Sequence, residues 1–328
     1  MAGPATPTRR PPSGERTAEL RRRREERRRQ IRRRRLTLAG VVGGLVLLVV
    51  IVVAVTSGGG DSSSSSPSAS SSAHPKAKAG ANARAKSSGS AAGGPATTAE
   101  YRRESRAISK VLAYTPYISR GSPAKKEVAL TIDDGPGPLT PRFVSTLRSL
   151  HAAATFFVVG QQLNTFDRGL RDAIRNGFAV GDHTEQHQNL PTLPASGQNK
   201  AIQDAALRIR SYGIPYPRLF RPPYGAFNGQ TISTLHGHRM LAVLWTVDTG
   251  DFSLPGTQAI VQRAVDGAKN GAIILLHDGG GDRSQTLAAL PEIVHRLRAR
   301  GFQLVTVPQM LLHDPPSRRQ ARPASGGA

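Results

Sequence analysis

The chain has 328 residues, which is enough for one substantial domain with additional segments. It contains no cysteine, so disulfides and thiolate metal sites are excluded. Its formal net charge is +23. The charge is uneven: residues 1–35 hold fourteen Arg against four Glu, whereas residues 111–313 hold about twenty Lys or Arg against fourteen Asp or Glu. Because the extreme charge lies outside the expected domain and has no interleaved aromatic residues, the composition argues against nucleic acid as a partner.

Residues 36–55 form an uncharged segment dominated by Leu, Val and Ile, and its twenty residues are enough to span a bilayer. Residues 32–35 are all arginine, and the flank after residue 55 has no basic residue. The positive-inside rule then places the Arg-rich segment 1–35 in the cytoplasm and the rest of the chain outside. A cleaved signal peptide is the alternative. The length of the apolar segment and the long Arg-rich region before it favour an uncleaved, single-pass transmembrane helix in the cell membrane.

Residues 56–110 are predicted to be a disordered linker, because most of this stretch is Ser, Ala and Gly and cannot bury a core. Residues 100–112 carry a loose helical pattern that either packs on the domain or extends the stalk. The catalytic domain is expected over residues 125–312. Residues 315–328 are again rich in Pro, Arg, Ser and Gly and are predicted to be a disordered tail.

Strands and helices are predicted to alternate within the domain. The predicted strands are residues 128–132, 155–159, 178–181, 219–221, 241–247, 272–276 and 302–307. Amphipathic helices are predicted between them, over residues 141–150, 167–176, 198–211, 231–235, 257–268 and 286–300. Regular alternation predicts a parallel sheet, open or closed into a barrel, and seven units favour a barrel.

Polar side chains follow the carboxyl ends of several predicted strands. These are Asp133 and Asp134 after the first strand, His183 after the third, Arg221 at the end of the fourth, Asp248 and Asp251 after the fifth, and His277 after the sixth. Since βα-barrels assemble their active sites at this end of the strands, one shared site is expected. Adjacent side chains on an extended chain point apart, so one of the first two carboxylates can bind a cation while the other handles a proton. Taken alone, this pair could equally cap the next helix.

His183 and His187 are four residues apart. On a helical turn both imidazoles would face the same way, which suits one metal ion, although nine His in the chain make such a spacing unremarkable alone. His236 and His238 are a competing pair, but they follow a helix rather than a strand and are interpreted as surface residues. Adding Asp134 to His183 and His187 gives a ligand set that leaves positions open for water and substrate, as in hydrolytic sites.

Five segments resemble, in order, the successive motifs of the NodB-homology polysaccharide deacetylases, carbohydrate esterase family four. They are residues 130–136, 183–187, 221–224, 245–252 and 275–278. The resemblance covers about residues 125–310. It implies an α/β fold of the distorted (β/α)7 barrel type, and metal-dependent removal of N-acetyl groups, sometimes O-acetyl groups, from a polysaccharide.

The resemblance also implies a role for each matching residue. The metal ligands would be Asp134, His183 and His187. Asp133 would be the general base, and His277 would be the acid that protonates the leaving amine. Arg221 would pair with Asp133, and Asp251 would orient His277, with Asp248 as the alternative partner. The metal and the backbone N–H of Tyr224 would stabilise the oxyanion, and Pro223, Phe252 and Leu275 would contribute to substrate binding. Phe252 stands where the family usually has Trp, and Ile132 where Phe is common; both changes keep the catalytic groups.

The sequence thus leads to a membrane-anchored, extracellular N-deacetylase of cell-wall glycan, with peptidoglycan N-acetylglucosamine as the expected substrate. Chitin oligomers, poly-N-acetylglucosamine and O-acetylated xylan are the alternative substrates. One divalent metal ion is expected, zinc by default, with cobalt, nickel or manganese also suiting an open site. A monomeric catalytic domain is expected. Two other classes are considered: a catalytically silent glycan-binding module, which the retained motif groups argue against, and a basic wall-associated scaffold, which accounts only for the chain's ends.

Overall fold

A computed structural model describes residues 97–322, which are built around a parallel β-sheet. The strands are β1 (Tyr117–Ile118), β2 (Glu127–Asp133), β3 (Ala154–Val158), β4 (Ala179–Asp182), β5 (Leu219–Phe220), β6 (Leu241–Val243), β7 (Val247–Asp248), β8 (Ala272–His277) and β9 (Gln303–Leu304). The helices are α1 (Thr98–Leu112), α2 (Thr140–Ser149), α3 (Leu163–Arg175), α4 (Ala195–Arg210), α5 (Gly229–Gly237), α6 (Thr257–Gly267), α7 (Ser284–Ala299) and α8 (Val307–His313). Hydrogen-bonded strands follow the order β1-β6-β5-β4-β3-β2-β8-β7, and β9 pairs with the start of β2.

The central strand is β2, whose seven residues are all buried. An unbroken apolar run without alternation is typical of a parallel strand covered on both faces. Val128, Leu130 and Ile132 pack in the larger core cluster with residues of the surrounding helices, whereas Ala129 packs in a second cluster with Ile273 of β8. Because β2 pairs with both β3 and β8, the carboxylates at its end lie in the middle of the sheet edge.

The predicted strand 241–247 is divided into two strands that pair with different neighbours. β6 pairs with β5 and β1, while β7 pairs with β8. Between them the Thr246 N–H donates to the Ile273 carbonyl at 3.0 Å, so the chain crosses from one side of the sheet to the other. The sheet therefore curls into a parallel half-barrel with helices outside. β1, two residues long, was not predicted because so short a strand leaves no sequence pattern.

The predicted helices all have counterparts, with differences at their ends. α3 begins at Leu163, but the non-helical backbone of Phe166 (φ −122°) makes residue 167, the predicted start, the beginning of its regular part. The last strand is shorter than predicted, because Thr306 caps α8 by accepting a hydrogen bond from the Gln309 N–H. The elements that were predicted are thus present with different boundaries, whereas β1 and α8 were not predicted and the predicted strand 241–247 is two strands.

The predicted disordered linker ends too late in the chain. Thr98–Leu112 is helix α1, which begins with a capping box formed by Thr97 and Glu100. Ile108 and Val111 of α1 are buried in one core cluster with Val307 and Met310 of α8. The linker prediction is wrong from residue 98 onward, because this apolar stripe packs on the domain.

The predicted tail also contains ordered contacts in its first part. The Gln320 side-chain oxygen accepts hydrogen bonds from the backbone N–H groups of Ser119 (3.0 Å) and Arg120 (3.2 Å), next to β1. The Tyr117 hydroxyl donates to the Gln320 carbonyl at 2.9 Å, and the Arg322 guanidinium lies 4.2 Å from the centre of the Phe227 ring. Residues 315–322 are therefore part of the domain.

Within residues 97–322, no helix has the length and apolar character needed to cross a membrane. The predicted membrane span, residues 36–55, lies outside the described part of the chain. So do the Arg-rich segment 1–35 and the predicted linker as far as residue 96.

Candidate active site

A cavity of about 330 Å³ opens at the carboxyl ends of the strands. It is lined by Asp133, Asp134, His183, His187, Pro222, Tyr224, Trp245, Asp248, Phe252, Leu275 and His277. These residues lie on or just after β2, β4, β5, β6, β7 and β8. The expectation that polar residues after separate strands meet in one place is met, because parallel strands present their carboxyl ends on the same edge.

Asp134, His183 and His187 form a cluster of potential metal ligands whose ligand atoms all lie within 4.8 Å of one another. Asp134 Oδ1 is 3.4 Å from His183 Nε2 and 3.2 Å from His187 Nε2. This buried oxygen has no hydrogen-bond partner among the described residues. A buried carboxylate oxygen facing two imidazole nitrogens is a donor set that suits a divalent cation, so the three side chains fit a metal ion.

The protonation of Asp134 agrees with a ligand role. Burial alone would raise the pKa of this carboxyl, but the neighbouring imidazoles of His183 and His187 hold its pKa well below the usual range. The carboxyl is therefore ionised. Asp134 itself has left-handed backbone (φ 70°), which turns its side chain away from the line of β2 and towards the two histidines.

The two histidines converge in a different way from the predicted helical turn. Residues 183–189 have no helical or strand structure, and Thr184 (φ 67°) and His187 (φ 56°) both have left-handed backbone. Two sharp turns, rather than one helical turn, therefore bring both imidazoles to Asp134. No sequence signal indicated this, because threonine is β-branched and rarely adopts positive φ.

Each of the two histidines has a hydrogen-bond partner on the ring nitrogen that faces away from Asp134. His183 Nδ1 lies 2.6 Å from the Arg221 carbonyl oxygen, and His187 Nδ1 lies 3.1 Å from the Tyr224 hydroxyl. A carbonyl can only accept, so His183 donates from Nδ1 and its Nε2 is the nitrogen that faces the ligand cluster. These partners were not predicted: a carbonyl leaves no trace in sequence, and Tyr224 was expected to act through its backbone N–H alone.

Asp133 is paired with Arg221, as expected. Arg221 is fully buried, and its Nη1 donates to Asp133 Oδ1 at 2.8 Å and to Thr131 Oγ1 at 2.8 Å. The rest of its guanidinium donates to the carbonyls of Val243 and Leu244. Asp133 Oδ2 lies on the cluster side, 3.8 Å from His183 Nε2. One oxygen of Asp133 is thus fixed while the other faces the site.

His277 is paired with Asp251, not with Asp248. Asp251 is buried; its Oδ1 is 2.7 Å from His277 Nδ1, and its Oδ2 accepts from the His277 backbone N–H and from Thr286. Burial alone would lower the pKa of His277, but the hydrogen bond and charge of Asp251, with Asp134 and Asp133 beyond it, raise the pKa to about 9. Asp248 is exposed and accepts from the Gly250 N–H. His277 is therefore a protonated imidazolium at neutral pH.

The apolar rim of the cavity includes most of the residues expected to bind substrate. Tyr224 and Phe252 are about half exposed, and the Phe252 ring meets the His277 ring edge-on at 6.0 Å. Leu275 also lines the cavity, but Pro223 does not; its neighbour Pro222 takes that place. Trp245, the one tryptophan of the chain, lines the cavity although no role was predicted for it.

The competing pair His236 and His238 lies away from this cavity. His238 Nε2 is 2.8 Å from the Asn199 side-chain oxygen and its Nδ1 is 3.2 Å from the Tyr216 hydroxyl. His236 is exposed. Both ring nitrogens of His238 therefore have partners, and neither partner is a carboxylate, so this pair does not resemble the Asp134 cluster.

Known proteins resemble this chain in sequence and in fold. A family model described as polysaccharide deacetylase matches residues 120–243. Peptidoglycan-N-acetylglucosamine deacetylase of Bacillus cereus is 35% identical over 208 residues, which cover 62% of this chain and 97% of that protein. Chitooligosaccharide deacetylase of Azorhizobium caulinodans is 34% identical over 197 residues, covering 56% of this chain and 94% of that protein. A crystal structure of a peptidoglycan N-acetylglucosamine deacetylase in complex with an N-hydroxybenzamide derivative superposes with a TM-score of 0.59 at 27% identity, covering 66% of this chain and 99% of that one.

Proposed function

Because the chain belongs to the polysaccharide deacetylase family, carbohydrate esterase family four, we propose that it hydrolyses N-acetyl groups of cell-wall glycan, with N-acetylglucosamine of peptidoglycan as the preferred substrate. The observation that carries the proposal is the grouping, around one cavity, of a three-residue ligand cluster, the Asp133–Arg221 pair and the His277–Asp251 pair. Amide hydrolysis needs a base, an electrophile for the carbonyl oxygen and an acid for the amine, and this cavity holds groups suited to each.

The ligand cluster supports a single divalent cation as cofactor. A cation held by Asp134, His183 and His187 would supply Lewis-acid activation of water and of the acetyl carbonyl. Zinc is the ion we propose, since two imidazoles and one carboxylate with open positions are typical of catalytic zinc; cobalt, nickel or manganese would also suit the site.

The protein side chains then divide the proton transfers between them. Asp133 accepts a proton from the attacking water through the oxygen that Arg221 leaves free. The backbone N–H of Tyr224, on the cavity rim, donates to the developing oxyanion. As the C–N bond breaks, His277 donates its proton to the leaving nitrogen, so that acetate and a free amine are released. Asp251 holds His277 in place for this step.

We also propose that the enzyme is anchored in the cell membrane with its catalytic domain outside. The support is the uncharged segment 36–55 and the arginines before it. Carbonate extraction of membranes, followed by protease treatment of intact cells, tests this placement. Retention in the membrane pellet with an accessible domain is expected, and release into the carbonate supernatant would reject it.

The reaction is tested by measuring acetate release from the full-length chain, stripped of metal and then given zinc or cobalt. Peptidoglycan, N-acetylglucosamine oligomers and O-acetylated xylan serve as parallel substrates. Metal-restored release, greatest from peptidoglycan, is expected. Loss in Asp133→Asn but not in Asp266→Asn, an exposed carboxylate elsewhere, would assign the base.

Other outcomes separate the alternatives. Full activity of Asp133→Asn would contradict the assigned mechanism. Preferential release from chitin oligomers or from xylan would replace the substrate but keep the enzyme class. Glycan binding without turnover under any of these metals would show a binding module instead.

A further inference from the structure

The loop between the two histidine ligands needs external support. We define residues 183–187 as the ligand loop; it has no regular structure, and Thr184 and His187 hold left-handed backbone. Each such residue that is not glycine costs about 1–2 kcal/mol relative to ordinary backbone. Because this strain would relax in an isolated loop, contacts with the rest of the domain must hold the two imidazoles in their ligating positions.

Backbone hydrogen bonds attach the middle of the ligand loop to two neighbouring segments. The Thr184 carbonyl accepts from the Gly160 N–H at 3.0 Å, and the Glu185 carbonyl accepts from the Gln161 N–H at 2.8 Å. On the other side, the Glu185 N–H donates to the Ala201 carbonyl of α4 at 2.8 Å. Glu185, two residues from each histidine, is thus the point where the loop meets both segments.

The side chain of Glu185 adds a two-pronged ion pair at this same point. Its Oε1 is 2.7 Å from Arg208 Nη2, and its Oε2 is 3.3 Å from Arg208 Nε. The remaining Nη1 of Arg208 donates to the Asn164 side chain of α3 at 2.9 Å. The Glu185 side chain is 12% exposed and the Arg208 side chain 38%, so the pair is only partly screened by water.

Gly160 shows how closely the Glu185 carboxylate packs. A Cβ at Gly160 would lie 2.1 Å from Glu185 Oε2 and 3.0 Å from Ala205 Cα of α4. The carboxylate therefore sits in a narrow gap between the segment after β3 and helix α4. Neither Glu185 nor Arg208 lines the active-site cavity, so any effect of the pair on chemistry must pass through the ligand loop.

We propose that Glu185 and Arg208 are positioning residues for metal binding: their ion pair fixes the ligand loop to α4 and α3 and so keeps His183 and His187 aimed at Asp134. The inference rests on the proposed function, because it requires that these three residues bind a metal. Partners outside the ligand set commonly set metal affinity by about 10–100-fold. Without the ion pair, the ligand loop would have to be reordered each time the metal binds, which weakens binding.

The test is a double-mutant cycle on metal affinity, using the full-length chain in metal-free form. Glu185→Gln, Arg208→Met and the double variant are titrated with cobalt and with zinc against a competing chelator. Each single change is expected to weaken affinity about tenfold, and the double change about as much as one single change. Arg208→Lys is expected to recover part of the loss, since an ammonium keeps the charge but not the two-pronged geometry.

The matched control is Lys200→Met. Lys200 lies on the same helix, but its side chain is 76% exposed, and its hydrogen bond and ion pair are both with Asp204 at 2.7 Å rather than with the ligand loop. Metal affinity should stay within about twofold of wild type, as expected for the loss of an exposed ion pair. The visible spectrum of the cobalt-loaded chain gives a second readout, expected to change in the Glu185 and Arg208 variants and not in the control.

Three results would overturn the proposal: unchanged affinity in both single variants, strictly additive losses in the double variant, or an equal loss in Lys200→Met. Urea unfolding of the metal-free variants accompanies each titration. If Arg208→Met does not fold, the double-mutant cycle is measured with Glu185→Gln and Arg208→Lys instead. A wild-type chain that binds no metal would reject the proposed function itself, whereas a metal-binding, active wild type with unaffected variants would reject this inference alone.

Discussion

His277 shows how one neighbour sets the chemistry of a single side chain. A buried imidazole would ordinarily be neutral at pH 7, yet the contacts with Asp251 raise its pKa to about 9. The raised pKa also affects stability, because a proton bound more tightly in the folded state favours folding. This contribution is fully present below the unfolded-state pKa of about 6.5 and is lost as the pH rises through about 9.

Asp251→Asn should remove the main support for the protonated form of His277. We expect the pKa of His277 to fall by at least about one unit, since an opposite charge in direct contact commonly shifts a pKa by this much. Because the acid must be protonated, the high-pH limb of kcat/KM should move to lower pH by the same amount. NMR titration of the His277 ring in the metal-loaded chain measures the pKa directly. An unchanged high-pH limb and an unchanged titration would contradict the pairing.

Arg221→Met should be among the most destabilising single changes in the domain. It removes the partner of Asp133 and leaves the carbonyls of Val243 and Leu244 without their donors, all in the interior. Breaking a buried pair in this way costs about 3–5 kcal/mol. Urea unfolding at equilibrium gives the value. Arg168→Met, on the surface of α3, is the control and should change stability by less than about 0.5 kcal/mol. A similar small change in Arg221→Met would show that the pair is replaceable.

The turns that follow β2 and β8 pack against each other and together shape the active site. β8 is paired with β2 along its whole length, from Ala272 with Val128 to His277 with Asp133. Beyond this register the two chains stay in contact: a Cβ at Gly279 would lie 2.1 Å from the Asp134 carbonyl oxygen. The turn bearing a ligand and the turn after the acid are therefore in backbone contact.

Gly279→Ala should push these two turns apart. The added methyl group meets backbone and has no flexible side chain to displace, so a loss of about 1–3 kcal/mol is expected. Metal affinity should fall with it, because Asp134 moves. Gly229→Ala is the matched change, since nothing lies within 4 Å of the added Cβ at the start of α5. Calorimetric metal titration and urea unfolding of both variants check this. Equal stability and equal metal affinity in the two variants would show that the two turns can move apart at Gly279 without cost.

Sequence could predict which elements carry the site but not how their ends turn. Asp133, His183, Arg221 and His277 were correctly placed at carboxyl ends of strands, because hydrophobic runs locate strands and parallel strands share one edge. The left-handed turns of the ligand loop could not be predicted, since they are held by contacts with distant segments. Nor could sequence show that a backbone carbonyl fixes His183, because backbone groups are the same at every position.

The final segment of the domain ties the first strand to the site. Gln320 binds two N–H groups beside β1, and Arg322 stacks on Phe227, three residues after Tyr224. β1 stands at the end of the strand order, where unpaired N–H groups would otherwise face solvent. Residues 315–322 therefore complete the sheet edge, even though their composition resembles that of a disordered tail.

Gln320→Ala should weaken the whole domain slightly. Loss of the side-chain oxygen leaves the N–H groups of Ser119 and Arg120 without this acceptor, which costs about 1 kcal/mol. Urea unfolding of the full-length chain measures it, with exposed Arg319→Ala as the comparison. A change no larger than that of Arg319→Ala would mean that the Gln320 side chain adds nothing to stability.

The ligand cluster has a further consequence for a chain that contains no cysteine. A metal ion shared by Asp134 and His187 would close a loop of about 50 residues, much as a disulfide does, between the strand that centres the sheet and the loop after β4. On the chain-entropy scale used for covalent cross-links, closing a loop of this size removes unfolded-chain entropy equivalent to about 4 kcal/mol at room temperature. The ion would then act as a reversible cross-link of the fold, which a chelator would remove and a reductant would not.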